Sequence, residues 1–247
     1  KYRNGKDPSG QAEIHVNFLG RTDNPFYFVD QYNAEFNRTI APMKGGWTDN
    51  YYMQMVQNIR RYKGVASMPV HRGYQHIVLD GNLEEWPIDS TYLDTRGDVI
   101  HRDHNGYGNL RYTDNTGRND IVRCLVAVDK KNIYFSAETA APLTSSTDKN
   151  WMLLLLDIDE DSKYDYIVKN SQLIDSEGNA IHIDRAIGEN SIEMAIPRKL
   201  LKLSGNKMSF CFKWADNPSN PADIISVSTE GDTAPNRRFA YRFVWKK

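Results

Sequence analysis

The residues of this chain with the clearest chemistry are carboxylates that follow its longest apolar run, residues 152–156. Four of them alternate or nearly alternate there: Asp157, Asp159, Asp161 and Asp165. Ca²⁺ takes about six to eight oxygen ligands, so carboxylates that converge at a strand end suit it. The loop is not an EF-hand, because Ser162 replaces the turn glycine and Val168 replaces the bidentate glutamate. The pattern predicts a structural calcium site; the alternative is a solvated acidic hairpin, since aspartate also favours turns.

A second polar stretch contains two histidines, His101 and His104, separated by Arg102 and Asp103. Zinc would need further ligands at comparable spacing, and none is evident nearby. A polar loop is the simpler interpretation. The alternative is a loop over a ligand, in which His101, Arg102 and Tyr107 contact a sugar.

Catalytic patterns are weak in this sequence. A glycosidase of the common kind needs two carboxyls placed across the scissile bond, and no spacing pairs the available glutamates, which are Glu84, Glu85, Glu138 and Glu193. Glu193 adjoins Met194 in an alternating run, so we expect it at the surface. The chain also lacks a Gly-x-Ser-x-Gly elbow, a phosphate loop and a nicotinamide fingerprint. We therefore predict that it is not catalytic.

Composition excludes several classes of protein. Lys and Arg number 31 against 32 Asp and Glu, for a net charge of −1 over 247 residues. Nucleic acids and anionic membranes attract basic proteins, so neither is an expected partner. No apolar run approaches the roughly 18–20 residues of a membrane span. The 14 Tyr, 9 Phe and 5 Trp supply enough apolar surface for a folded core.

Short strands separated by turn residues dominate the chain from about residue 76. Their number and spacing predict a mostly β chain folded as an antiparallel β-sandwich. We expect strands near residues 76–79, 109–113, 120–128, 132–139, 151–157, 164–169, 179–184, 191–196, 207–215, 223–228 and 239–245. Cys124 falls on the apolar face of its strand, whereas Cys211 falls on the outer face of a different strand. We therefore expect no disulfide between them.

The part before the strands contains one helical pattern. Apolar residues at positions 52, 55, 56, 59 and 62 have the spacing of an amphipathic helix. Thr48 or Asp49 can cap its start, and Gly64 ends it. We therefore divide the chain into an N-terminal arm with this helix, residues 1–74, and a sandwich, residues 75–247. The apolar stripe of the helix must pack either on the sandwich or on an upstream domain.

Four segments of the sandwich, in order, resemble motifs of family 9 carbohydrate-binding modules, which have a DOMON-like fold. Residues 76–86 read HIVLDGNLEEW, similar to the family's I-x-I-D-G-x-L-D-E-W, and residues 126–135 read VAVDKKNIYF, similar to V-A-x-D-x-x-N-L-Y-F. Residues 151–157 and 164–168 resemble its strand pair E-I-F-I-D and Y-D-Y-V-I. Residues 192–197, IEMAIP, resemble V-E-x-A-I-P.

The resemblance implies a non-catalytic module that binds an oligo- or polysaccharide, carries structural calcium and belongs to a larger secreted bacterial glycan-processing protein. Residues 49–64 look like segments that precede such modules, which implies an upstream catalytic domain. The chain begins at Lys1 rather than Met. It is therefore either a trimmed chain or a mature or fragmentary secreted protein, and the resemblance favours a secreted, periplasmic or cell-surface location.

The sequence departs from the family at the sugar site. Family 9 modules clamp the end of a glycan between two tryptophans, but residues 144–150 and 229–238 contain none. Trp151 is the nearest substitute, unless its strand buries it, and Trp214 and Trp245 are expected in the core. Two alternatives to sugar binding therefore stay open: a calcium-stabilised accessory domain without its own ligand, and a fragment of a glycoside hydrolase.

Overall fold

The computed structural model divides the chain into two compact units, Lys1–Val65 and Ala66–Lys247. It describes residues 26–27, 41–42, 62, 69–99, 102–105, 111–161, 163–223, 226–227, 230–235 and 239–247. In the first unit, β1 (Phe26–Tyr27) pairs antiparallel with β2 (Ala41–Pro42). Tyr62 is helical, and the rest of the helix expected over residues 52–62 lies outside the described residues.

The second unit contains a 3₁₀ helix (Ile88–Ser90) and a series of short strands. The strands are β3 (His71–Arg72), β4 (Thr91–Leu93), β5 (Arg102–Asn105), β6 (Arg111–Asp114), β7 (Ile121–Val128), β8 (Asn132–Thr139), β9 (Leu153–Asp157), β10 (Tyr166–Lys169), β11 (Gln172–Asp175), β12 (Ala180–His182), β13 (Asp184–Ile187), β14 (Ser191–Pro197), β15 (Lys207–Asp216), β16 (Asp232–Ala234) and β17 (Tyr241–Lys246). The unit takes in β3, which a division at residue 75 leaves outside.

Two sheets form the predicted β-sandwich. The larger has the order β12-β11-β10-β9-β15-β17-β3, with β16 also paired to β15, and the smaller has the order β13-β14-β8-β7-β4. β5 and β6 form a separate hairpin. The mostly β, two-sheet expectation is confirmed. The strand pairs within these two sheets are antiparallel, except that β3 runs parallel to β17, with His71 opposite Trp245.

The main core lies between the sheets and follows from strand alternation, because every second side chain of a strand points to the same face. Phe135 of β8 reaches across to β15, with ring centroids 5.7 Å from Phe210 and 5.8 Å from Phe212. Trp214 and Trp245 are buried in the same cluster, as expected. Cys124 and Cys211 are both free, which confirms that they are not bridged.

Part of the outer face of each sheet is also covered. On the smaller sheet, Ile77 and Trp86 pack on Leu125, Ala127, Tyr134 and Ala195. On the larger sheet, Val227 packs on Leu155 and Ala215. Strands covered on both faces need apolar side chains in both registers, and this explains the uninterrupted leucines of β9.

Two expected strands were wrong. Residues 76–79 form no strand, and residues 226–227 are helical. Ile77 and Leu79 instead pack on the outer face of the smaller sheet, and Val227 packs on that of the larger sheet. Alternation of apolar and polar residues indicates that one side of a segment is buried. It does not indicate whether the backbone pairs with a neighbouring strand.

The expected surface position of Glu193 was also wrong, because this residue is 0 % exposed. Its carboxylate accepts hydrogen bonds from Trp86 Nε1 at 2.7 Å, from Gly81 N at 2.6 Å and from Asp80 N at 3.0 Å. Burial raises the pKa of Glu193 and these donors oppose the rise. Trp86 lies on the outer face of the smaller sheet, where its indole N–H donates to Glu193.

The core between the sheets predicts a sharp contrast between two isoleucines. Ile133→Ala should cost about 2–5 kcal/mol of unfolding free energy, because Ile133 is 0 % exposed and its removal leaves a cavity. The same change at Ile88, which is 86 % exposed, should cost no more than about 0.5 kcal/mol. Urea unfolding of both variants measures the difference, and equal costs would contradict the assigned core.

Candidate functional site

The candidate metal centre begins at the end of β9, which lies between β10 and β15. The four leucines of this strand are 0 % exposed, and Asp157, its last residue, is only 4 % exposed. A buried carboxylate is costly unless hydrogen bonds or a cation compensate it. The strand therefore places the Asp157 carboxylate where hydrogen bonds or a cation must compensate its burial.

Three carboxylates meet at this strand end. Asp157, Asp159 and Asp165 each offer an oxygen, and these oxygens lie within 4.8 Å of one another. Ca²⁺ binds its oxygens at roughly 2.3–2.6 Å, so two ligands of one ion lie no more than about 5 Å apart. Asp157 is buried, Asp165 is half-buried and Asp159 is exposed. The cluster is thus open to solvent on one side, as an exchangeable ion requires.

Backbone N–H groups of the β9–β10 loop hold these side chains together. Asp161 N donates to Asp157 Oδ1 and to Asp159 Oδ1, at 3.2 Å each. Ile158 N donates to Asp165 Oδ2 at 2.7 Å. The loop folds back over the strand end, and Glu160 adopts a left-handed conformation with φ 63° within it. These bonds use one oxygen of each carboxylate and orient the three groups towards each other.

Asp161, the fourth ligand expected from the sequence, is placed differently. Its carboxylate accepts a hydrogen bond from Lys163 N at 2.8 Å and lies 3.3 Å from Lys163 Nζ. The Lys163 backbone N–H is the main cause that lowers the pKa of Asp161. Asp161 therefore supports the cluster through its N–H, while its side chain turns to Lys163.

The residues expected to bind sugar do not form one site in the described part of the chain. Trp151 is 1 % exposed and belongs to the main core. The Arg185 guanidinium lies 5.7 Å from its ring centroid, so the indole has no open face for a sugar. Arg102 begins β5, opposite Asp114. His101 and Tyr107 lie outside the described residues.

A second carboxylate group was missed by the sequence analysis. Oxygens of Asp94, Asp98 and Asp232 lie within 4.8 Å of one another. Asp232 accepts hydrogen bonds from Ile121 N at 2.6 Å and Thr233 N at 2.8 Å. Burial raises its pKa well above the ordinary value, and the charges of Asp98 and Asp94 raise it further. No local spacing indicates this group, because β16 brings Asp232 from far along the chain.

Asp216 shows how a buried carboxylate is compensated without a metal. It is 0 % exposed. It lies 2.7 Å from Arg118 Nε and accepts hydrogen bonds from Asn119 Nδ2 at 3.1 Å and Met152 N at 2.9 Å. Burial still raises the pKa of Asp216, against the opposing effect of Arg118. This carboxylate joins the start of β9 to the end of β15, which is a structural role.

Comparisons with known proteins identify no family. No protein-family model matches the chain, and no curated protein matches it. No helix in the part of the chain that the structure describes is long and apolar enough to cross a bilayer. The likeness to family 9 modules therefore stays a prediction from sequence motifs.

The Asp94–Asp98–Asp232 group predicts a specific pH effect. Because the pKa of Asp232 is raised in the folded chain, the folded chain keeps this proton to a higher pH than the unfolded chain, whose ordinary pKa is 3.8. This contribution to stability is therefore lost as pH rises. Asp98→Asn removes one repelling charge. Relative to that of the unmodified chain, its free energy of unfolding should therefore rise between pH 5 and pH 8, measured by urea unfolding with chelator present.

Asp184→Asn is the matched control, because Asp184 is exposed on β13. Its difference from the unmodified chain should stay constant with pH. A constant difference for Asp98→Asn as well would show that the three carboxylates do not interact.

Proposed function

We propose that this chain is a non-catalytic, calcium-stabilised accessory β-sandwich, and that Asp157, Asp159 and Asp165 bind the ion. The observation that carries the proposal is the convergence of these three carboxylates within 4.8 Å at the end of a buried strand. Backbone carbonyls and water would complete the coordination of a Ca²⁺ ion, which accepts irregular oxygen shells.

The donors favour calcium over softer metals. The cluster is composed of carboxylates, whereas zinc prefers histidine and cysteine. Cys211 stands opposite Asp157 in the sheet register. Burial, with Asp157 and Glu160 adding, raises the pKa of Cys211 to about 11, so at neutral pH it is a thiol and a poor metal ligand.

The location of the cluster links the ion to stability. Three carboxylates this close repel one another, and one of them is buried, so a bound cation lowers the free energy of the folded chain alone. Two of the three side chains are at least partly open to solvent. Such a site suits the weak range of extracellular modules, with a Kd of roughly 0.1–1 mM. This agrees with the proposed secreted, periplasmic or cell-surface location.

Calcium should therefore raise the melting temperature. At a concentration about 100 times Kd, binding adds about 2.7 kcal/mol, or roughly 5–10 °C for a unit of this size. Asp159→Asn should abolish the rise, because it removes an exposed ligand without opening the core. The measurement is calorimetry with chelator and then with added Ca²⁺.

Asp161→Asn is the control within the same loop, since the Asp161 side chain turns to Lys163. It should keep most of the calcium-dependent rise. An equal loss in both variants would mean that the loop responds to its total charge and contains no defined site, and no rise in the unmodified chain would end the proposal.

Saccharide binding is a second candidate function. It is favoured by the two-sheet sandwich, the fold that the resemblance to family 9 modules implies. With the described Trp151 buried, we propose that the β5–β6 hairpin, which begins at Arg102, takes part in contacts with the glycan. An upstream catalytic domain would then act on the glycan that this chain holds.

Isothermal titration against a glycan panel, with and without chelator, tests this candidate. Binding that weakens at least about tenfold in Arg102→Ala would support it, because a charged hydrogen bond to a ligand contributes about 1.5–3 kcal/mol. The absence of measurable binding both to free glycan chain ends and to polysaccharides would contradict it. Hydrolysis of any glycan by the purified chain would instead establish the glycoside-hydrolase alternative.

A further inference from the structure

His71 is a buried titratable residue that the proposed function does not use. It lies on β3, the first strand of the sandwich unit, and is 5 % exposed. Its imidazole stacks on Phe243 of β17, with centroids 4.9 Å apart and planes 6° apart. β3 is only two residues long and forms the edge of the larger sheet. The histidine is therefore a principal contact of a short edge strand.

The residues that follow His71 are also attached to the sandwich. Trp245 Nε1 donates to Gly73 O at 2.7 Å, and Tyr74 lies against the Trp245 ring at 5.3 Å. Gln75 N donates to Val128 O at 2.8 Å. We refer to residues 71–75 as the latch segment. It joins the sandwich to the part of the chain that precedes it.

The surroundings of His71 suit a neutral ring. Nδ1 lies 3.0 Å from Ser90 Oγ, whereas Nε2 is buried with no hydrogen-bond partner. A neutral imidazole needs one donor and one acceptor position, but an imidazolium carries two N–H donors. Protonation would thus bury a charge and leave the Nε2 donor without an acceptor, and both effects are unfavourable.

One charged group opposes this effect. Asp89 Oδ2, on the 3₁₀ helix, lies 4.0 Å from Nδ1, but the Asp89 side chain is 74 % exposed and therefore screened by water. The ring of Tyr92 on β4 is 6.4 Å away and stays neutral, because burial raises the pKa of Tyr92. β17 contributes the uncharged Phe243. Burial lowers the pKa of His71 and Asp89 offsets part of the change.

Ser90, His71 and Asp89 do not form a catalytic triad. In that arrangement the serine and the carboxylate lie at different ring nitrogens. Here Ser90 and Asp89 both face Nδ1, and Nε2 is enclosed. The three residues therefore cannot relay a proton from the serine. The remaining effect of His71 protonation is a structural response to pH.

We propose that His71 makes the latch segment acid-sensitive: protonation of the imidazole detaches β3 from β17 and frees residues 71–75 from the edge of the sandwich. In the folded chain the ring stays neutral below its ordinary pKa, 6.5, while the detached segment takes up a proton. The attachment is therefore complete above about pH 6.5 and weakens as pH falls below it. This inference does not depend on calcium or on a sugar.

Hydrogen exchange of the whole chain tests the proposal. Between pH 7.5 and 5.5, after correction for intrinsic rates, protection of peptides that cover residues 69–77 and 241–247 should fall, by at most about tenfold, which is the limit for one proton. Peptides of β8 should show no such fall. His71→Phe keeps an aromatic ring on Phe243 but cannot protonate, so its latch segment should be protected equally at both pH values.

His182→Phe is the control, because His182 is exposed on β12, and it should behave like the unmodified chain. NMR titration of His71 in the unmodified chain is an independent measurement that needs no variant, and its midpoint should lie below 6.5. A midpoint at or above 6.5, pH-independent protection, or an equal loss of protection in His71→Phe would each overturn the proposal.

Discussion

A carboxylate at the end of a strand covered on both faces must be compensated, and this constraint governs the part of the molecule described above. β9 has Leu154 and Leu156 in the core between the sheets and Leu155 under the outer cluster. Asp157, the last residue of this strand, is therefore still buried from solvent. Backbone N–H groups of the following loop supply part of the compensation, and the carboxylates of Asp159 and Asp165 lie beside that of Asp157. We propose that this arrangement gains stability from a bound cation.

Other buried carboxylates meet the same constraint without a metal. Glu193 holds the indole of Trp86 and two backbone N–H groups of the segment over the smaller sheet. Asp216 pairs with Arg118 and fixes the start of β9. Each of these charges ties a segment outside the sheets to a strand within them. Asp232 is the contrasting case, because two more carboxylates lie beside it and its pKa rises accordingly.

Much of the sandwich could be predicted from local pattern. Alternation of apolar residues located β8 and β14 closely, and the spacing of Asp157, Asp159 and Asp165 indicated a cluster that the structure brings together. Contacts between distant segments could not be predicted in this way. Glu193 is buried because residues 80–86 cross its face. Asp232, on β16 of the larger sheet, meets Asp94, which follows β4 of the smaller sheet. Residues 76–79 alternate like a strand because one side of a covering segment is apolar.

Asp157, Asp159 and Asp165 are proposed to bind one calcium ion together. Equilibrium dialysis of the full chain against radioactive Ca²⁺ at millimolar concentration counts bound ions directly, without reference to stability. Asp159→Asn should bind one ion fewer per chain than the unmodified protein, whereas Asp161→Asn should bind the same number. Equal stoichiometry in the unmodified protein and Asp159→Asn, or no saturable binding in either, would contradict it.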